Sequence, residues 1–336
     1  MVCKPPGKVW AFEVVISVCL LDVWVRRAKM KIAVVGAGAM GSLFGALLAE
    51  SGNEVWLCDI RQDHMNTVKQ SGLRLEYEAK TRVVKLNAVI DPQAIGESDL
   101  VLIFVKSMHT QSAAQTAAVL AGRNGLVMTL QNGMGNADTI AEHIKPNRII
   151  VGTTAHGATM LGPATVRHAG RGPTILGMWS GGKREFQSAL QTAALLTRAG
   201  IESTAVEDVR PAVWDKLIIN VGINAITALT GIKNGELLDL DCTRELSRSA
   251  VEEAAAVAKA QGIGIGEDQE AHVFQVAQAT SANRSSMGQD ADHRRPTEIA
   301  AINGFVVREA DRMGLAVPVN RTLTALVQTM EAHYRK

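Results

Sequence analysis

Little in this chain of 336 residues points to metal, disulfide or polyanion chemistry. Its four cysteines, Cys3, Cys19, Cys58 and Cys242, form no C-x-x-C pair. Neither a disulfide framework nor a zinc site is expected, and a reducing, cytoplasmic setting is the default. The eight histidines show no H-E-x-x-H or comparable ligand spacing, so no metal is expected either. Charged residues make up 20% with a formal net charge of +2, and no block of like charges occurs. That balance speaks against nucleic acid or an acidic surface as partner.

The segment before Met30 lacks what a signal peptide or a membrane span needs. Val9–Val25 is apolar but interrupted by Glu13 and Asp22, and no small-residue cleavage site follows. A span takes about 20 largely apolar residues, and each acid within it costs about 2.5–3.5 kcal/mol. Residues 1–29 are therefore expected to be an upstream extension without a part in catalysis, and no membrane is expected. The remainder is long enough for two ordinary domains.

What the chain does have begins at Lys31. Lys31–Val35 is a short apolar, β-branched run, the pattern of a strand buried on both faces. Gly36-Ala37-Gly38-Ala39-Met40-Gly41 follows, leading into Phe44, Leu47 and Leu48 at helical spacing. The first glycine permits a tight turn, the second admits a pyrophosphate to the backbone, and the third lets the helix pack on the strand. Free N–H groups and the dipole at the helix start favour the anion. A turn at Ser51-Gly52-Asn53 and a second strand, Glu54–Cys58, lead to Asp59, 18 residues beyond Gly41. An acid there accepts a hydrogen bond from an adenosine ribose. This context reads as a dinucleotide site rather than as glycines serving packing alone.

Further strands are expected at 99–105, 125–130, 148–154 and 201–206, an irregular hairpin at 73–86 and meandering strands within 156–177. Helices are expected at 61–71, 111–120 and 183–198. Lys106 and Asn132, the latter in Gln131-Asn132-Gly133, fall at the carboxyl ends of central strands, the edge where open α/β sheets bind ligands. Asn-Gly is also ordinary turn chemistry. Beyond the last strand nearly everything reads as helix: 209–229, 244–261, 268–279, 298–313 and 320–332. The expected class is α/β, with a Rossmann-type dinucleotide-binding domain at 30–207 and an all-helical domain at 208–336.

Between Val213 and Ile226 the helix is too apolar for a surface position. Lys216, Asn220 and Asn224 fall on one stripe of it. A buried amide without partners costs about 1–3 kcal/mol, and an unpaired ammonium more. The stripe should therefore face a polar crevice, a ligand or another polar chain rather than bulk water. In Arg295-Pro296-Thr297-Glu298-Ile299, Thr297 suits an N-cap and Glu298 a first helical turn. That pattern leaves Glu298 open between helix stabilisation and catalysis.

Together with Val105-Lys106 and Ser285-Ser286-Met287-x-Gln289-Asp290, these motifs resemble the ketopantoate reductase (2-dehydropantoate 2-reductase) family from Met30 to the C-terminus. The resemblance implies a helical domain like that of 6-phosphogluconate dehydrogenase, with the active site in the cleft. It implies NADPH-dependent reduction of 2-dehydropantoate to pantoate, a step toward pantothenate. Lys216 matches the general acid, Asn220, Asn224 and Ser286 match holders of the substrate, and Glu298 matches a carboxylate that bonds substrate and places the lysine. Asn132 matches a position shared by substrate and cofactor. The cofactor set comprises Gly36, Ala37, Gly38, Ala39, Met40, Gly41, Asp59, Arg61, Lys106, Asn132 and Glu298.

The small-molecule partner is then a 2-keto acid, and relatives of this kind also reduce other small or branched ones. A dinucleotide sensor without turnover is a third reading, against which the Lys216 stripe speaks. The sequence sets no oligomeric state and admits a homodimer through the helical domain. Two positions depart from the family pattern. Ala300 stands where an Asp is common, the N3 partner of a Thr297 capping box; its loss is expected to cost the helix about 1 kcal/mol or less. Asp59 repels a 2′-phosphate and leaves NAD(H) open, whereas Arg61, two residues on, can pair with that phosphate. NADP(H) is the expected cofactor.

Overall fold

A computed structural model describes residues 29–334. The extension expected at residues 1–29 lies, but for Lys29, outside the described residues. Lys31–Val35 forms β1, and the chain turns at Gly36 into α1 (Ala39–Glu50). Next come β2 (Glu54–Cys58), α2 (Gln62–Ser71), the hairpin β3 (Leu73–Tyr77) and β4 (Lys80–Val84), and β5 (Asn87–Val89). β6 (Leu100–Ile103), α3 (Thr110–Ala121), β7 (Leu126–Thr129), α4 (Asn136–Ala141) and β8 (Ile149–Thr154) continue the α/β alternation. The expected meander is β9 (Gly157–Gly162), β10 (Thr165–Gly170) and β11 (Thr174–Met178), and α5 (Lys183–Arg198) leads to β12 (Ser203–Ala205).

The main sheet has eight strands in the order β12-β11-β8-β7-β6-β1-β2-β5, with β11 antiparallel to β8. β1 pairs in parallel with β2 on one side and β6 on the other. The chain order reverses there, so the ligand crevice of such a sheet lies beside the glycine turn and the end of β6. Ile32 and Val34 pack with Leu43 and Phe44 of α1 on one face. Ala33 and Val35 pack with Ala114 and Ala117 of α3 on the other. A strand covered on both faces needs the unbroken apolar run seen in the sequence. The small sheet β4-β3-β10-β9 lies over the far side of α1.

The helical half comprises α6 (Arg210–Thr230), α7 (Asp241–Ala260), α8 (Gln269–Ala279), α9 (Ser286–Asp292), α10 (Asn303–Met313) and α11 (Pro318–His333). α6 is the central rod, touched by α7, α8, α9 and α11. By length and composition it could cross a membrane. Here its apolar content fills the bundle: Trp214, Leu217, Ile218, Val221 and Ile226 are buried in one core cluster.

β5 and α4 were not indicated by the sequence, and two expectations change. α9 occupies a stretch read from sequence only as a polar segment. More consequentially, the helix expected from Glu298 starts at Asn303. In a helix beginning at 298 the Ala301 carbonyl would accept from the chain four residues on. Instead it accepts from Met134 N across the cleft at 2.8 Å. A Cβ on Gly133, whose φ is +76°, would lie 2.5 Å from that same carbonyl. Docking onto the Gly133 turn thus opens the helix start. Thr297 accepts from Ile299 N at 3.2 Å within a local turn and caps no helix. Ala300 is consequently not the third residue of a capping box, and the stability loss expected from it does not arise.

Candidate active site

The chain just past β6 and β7 and the end of β8 meet α9, the turn before α10 and α6. Lys216 is half-buried, and its Nζ donates to the Thr154 carbonyl at the end of β8 at 2.5 Å. Burial pulls its ammonium down from the ordinary lysine value to about 8, while the Glu298 carboxylate acts in the opposite direction. One and two turns further along α6 the amide nitrogens of Asn220 and Asn224 are sealed from solvent with no hydrogen-bond partner. A solvent-facing stripe would leave all three groups wet. Instead Lys216 reaches the end of β8, and the two amide donors are enclosed and unspent.

Glu298 approaches from the helical side. Its Oε1 accepts from Ser107 N at 3.0 Å, just past β6, and the Asn132 side chain also favours its charged form. Burial raises its pKa, with Ser107 N–H, Lys106 and Asn132 opposing and Asp290 adding to the rise. Lys106 forms an ion pair across the cleft with Asp290 of α9, a carboxylate only 9% exposed, and reaches the Pro296 carbonyl at 3.5 Å. Desolvation raises the Asp290 pKa, and Lys106 counters it. Ser286 stands exposed in the first turn of α9. Its neighbour Ser285 is the buried one, bonded to Thr227 Oγ1 at 2.7 Å and capping α9.

Asp290, Ser107 N–H and the Thr154 carbonyl carried no role in the sequence reading. Asp290 was visible within its motif, but its partner lies 184 positions away. Backbone groups leave no trace in residue identity, so nothing in the sequence marked the other two.

The glycine turn fits a dinucleotide. Gly36 has φ +94°, and a Cβ there would come within 2.7 Å of Val105. A Cβ on Gly41 would lie 2.0 Å from the Gly36 carbonyl, so helix and turn are in direct contact. At Gly38 the same construction meets nothing within 4 Å, which leaves the backbone open to a pyrophosphate. Ala37 lies fully buried in this turn, and Ala39 and Met40 form the start of α1. Asp59 Oδ1 accepts from Arg61 N at 3.0 Å and from Arg61 Nε at 3.2 Å. Arg61 Nη2 then donates to the Ala37 carbonyl at 2.6 Å, laying the guanidinium across the turn.

A Rossmann-type sheet whose binding edge confronts a lysine on a buried helix defines a pyridine-nucleotide-dependent oxidoreductase. Comparison with known proteins gives the narrower assignment. The family model for ketopantoate reductase PanE/ApbA matches residues 32–181, and that for its C-terminal part matches 208–331. The chain is 39% identical over 303 residues to the 2-dehydropantoate 2-reductase of Halobacterium salinarum, covering 89% of this chain and 98% of that one. To the Vibrio cholerae protein of the same name it is 34% identical over 310 residues, covering 91% and 100%.

Among solved structures, the PanE/ApbA family ketopantoate reductase from Ralstonia eutropha JMP134 superposes with a TM-score of 0.84 at 36% identity, covering 91% and 100%. A D-mandelate dehydrogenase with NADH and anilino(oxo)acetate does so at 0.85 and 29%, with the same coverage. The chain belongs to the ketopantoate reductase family.

Proposed function

We propose that this protein reduces 2-dehydropantoate to pantoate with NADPH, Lys216 acting as the general acid. The observation that carries the reading is the row on α6: an ammonium with a lowered pKa followed by two enclosed, partnerless amide donors. A 2-keto acid offers a carboxylate to such amides and a carbonyl oxygen to the ammonium. Gly36–Gly41 would hold the cofactor's pyrophosphate, and the nicotinamide, when bound, would supply hydride to C2.

Lys216 stabilises the developing alkoxide by charge and then gives up its proton, which a pKa near 8 makes easier than for a free lysine. Asn220 and Asn224 hold the carboxylate and hydroxyl, with Ser286 closing the site from α9. Glu298, ionised, accepts from the substrate hydroxyl and orients the lysine. Lys106 and Asn132 line the dinucleotide side. NADP(H) is favoured over NAD(H) because Arg61 neutralises Asp59 and lies at the turn, where a 2′-phosphate would meet a guanidinium. The expected domain division is a dinucleotide-binding half at 30–207 and a substrate half at 208–336, with residues 1–29 outside both.

Loss of nicotinamide absorbance with 2-dehydropantoate and a panel of 2-keto acids tests the reading. Because the mandelate-type relative shares the fold, an aryl 2-keto acid belongs in that panel. A clear preference for another acid, or no turnover of any, rejects the substrate. Activity should fall about tenfold per pH unit above about pH 8 as Lys216 loses its proton. Arg61→Ala should lower the NADPH-to-NADH ratio of kcat/KM by roughly tenfold or more; an unchanged ratio removes Arg61 from cofactor choice.

A further inference from the structure

Gln131 has no part in the chemistry above, yet its side chain is bonded at both ends. Its Oε1 accepts from Thr129 Oγ1 at 2.8 Å. Its Nε2 donates to the Val105 carbonyl at 2.7 Å and to Thr110 Oγ1 at 2.9 Å. One amide therefore ties the turn after β6 to the turn after β7. The first presents Ser107 N–H to the Glu298 carboxylate, and the second carries Asn132, whose side chain favours the charged form of that carboxylate. Glu298 arrives from the opposite half on a non-helical turn, so the spacing of these two turns decides how its carboxylate is held.

The side-chain type matters. A carboxylate in place of the amide has no donor for the Val105 carbonyl or Thr110, and a thioether serves neither end well. A coupled network of this kind holds its members more tightly than its separate bonds suggest.

We propose that Gln131 is a positioning residue for the reaction. It fixes the Ser107 N–H and the Asn132 side chain relative to each other, and through them the Glu298 carboxylate. The inference rests on the reading in which ionised Glu298 works on the substrate.

Gln131→Met, nearly isosteric and uncharged, removes the tie. It should lower kcat about tenfold while leaving the cofactor Kd within about twofold. The acid limb of kcat/KM should move up by roughly half a pH unit, because a carboxylate that loses donors holds its proton longer. In a Glu298→Gln background the same change should cost less than about twofold in kcat, since the group it positions is already gone. Equal cost in both backgrounds, or an acid limb that stays put, overturns the proposal. Thr129→Val, which frees the Oε1 end and the backbone N–H of Gln131 but leaves Nε2 tied, should shift the limb the same way by less, and it serves if Gln131→Met fails to fold.

Carbon NMR of isotope-labelled glutamate in the ligand-free protein, with Glu298 assigned by Glu298→Gln, separates this proposal from the substrate reading. A raised Glu298 midpoint in Gln131→Met upholds the positioning role even if no 2-keto acid is turned over. An unshifted midpoint in an active reductase rejects it.

Discussion

On the sheet side of the cleft the polar groups are bonded within the protein before any ligand arrives. Gln131 has three side-chain partners, Arg61 bridges Asp59 and the Ala37 carbonyl, and Lys106 is paired with Asp290. On the helical side the nitrogens of Asn220 and Asn224 have none. The difference follows from what each wall would receive. A pyrophosphate takes backbone N–H groups at a helix start, which a glycine turn can finish in advance. A small keto acid takes side-chain donors, and keeping them free leaves buried amides unsatisfied at about 1–3 kcal/mol each. On the proposed reading the helical wall carries that cost for a substrate carboxylate to relieve.

Lys216→Ala applies the largest perturbation to one wall alone. It should lower kcat by at least about 10²-fold while the cofactor Kd, measured by nicotinamide fluorescence, stays within about twofold. A comparable loss of cofactor affinity would mean that the walls are not separable. Gly41→Ala attacks the other wall: its Cβ would sit 2.0 Å from the Gly36 carbonyl, so turn and helix must part. Cofactor affinity should drop by roughly tenfold or more, with a lower melting temperature.

Asn220→Ala and Asn224→Ala sharpen the contrast. Each should raise KM for the keto acid by about tenfold, the worth of one lost hydrogen bond to a charged group. Neither should lower the melting temperature, because the donor removed had no partner. A marked destabilisation would show that the amides are structural.

The smallest effect lies under α1, just past the end of β8. There His156 and His168 stack at 5.1 Å, with Nδ1 and Nε2 2.9 Å apart. Burial lowers both pKa values, that of His168 from 6.5 to about 4. The unfolded chain therefore binds more protons than the folded one below 6.5, and stability should decline as pH falls from 6.5 toward about 4. Urea midpoints for the wild type and His168→Phe across that range check it, the variant being expected to lose less.

Much of this site could be read from spacing. The strand-glycine-helix run and the stripe of Lys216, Asn220 and Asn224 rest on local periodicity, which sequence displays directly. The start of α10 was misread because a threonine-glutamate pair after proline mimics a helix entry. What displaced it was a carbonyl claimed by Met134, more than 160 positions earlier by the numbering. The Lys106–Asp290 pair, the Thr154 carbonyl beneath Lys216 and the buried Ser285 beside exposed Ser286 likewise depend on how two distant segments meet.

Glu298 draws its carboxylate from one half of the molecule and its Ser107 N–H donor from the other. Should the halves swing apart, Glu298 would be stripped of Ser107 and Lys216 would leave Thr154. The gap is then widest, and water most free to enter, in a form whose chemistry is disarmed. On the proposed chemistry such an arrangement needs no separate lid, because contact between the halves is what assembles the site.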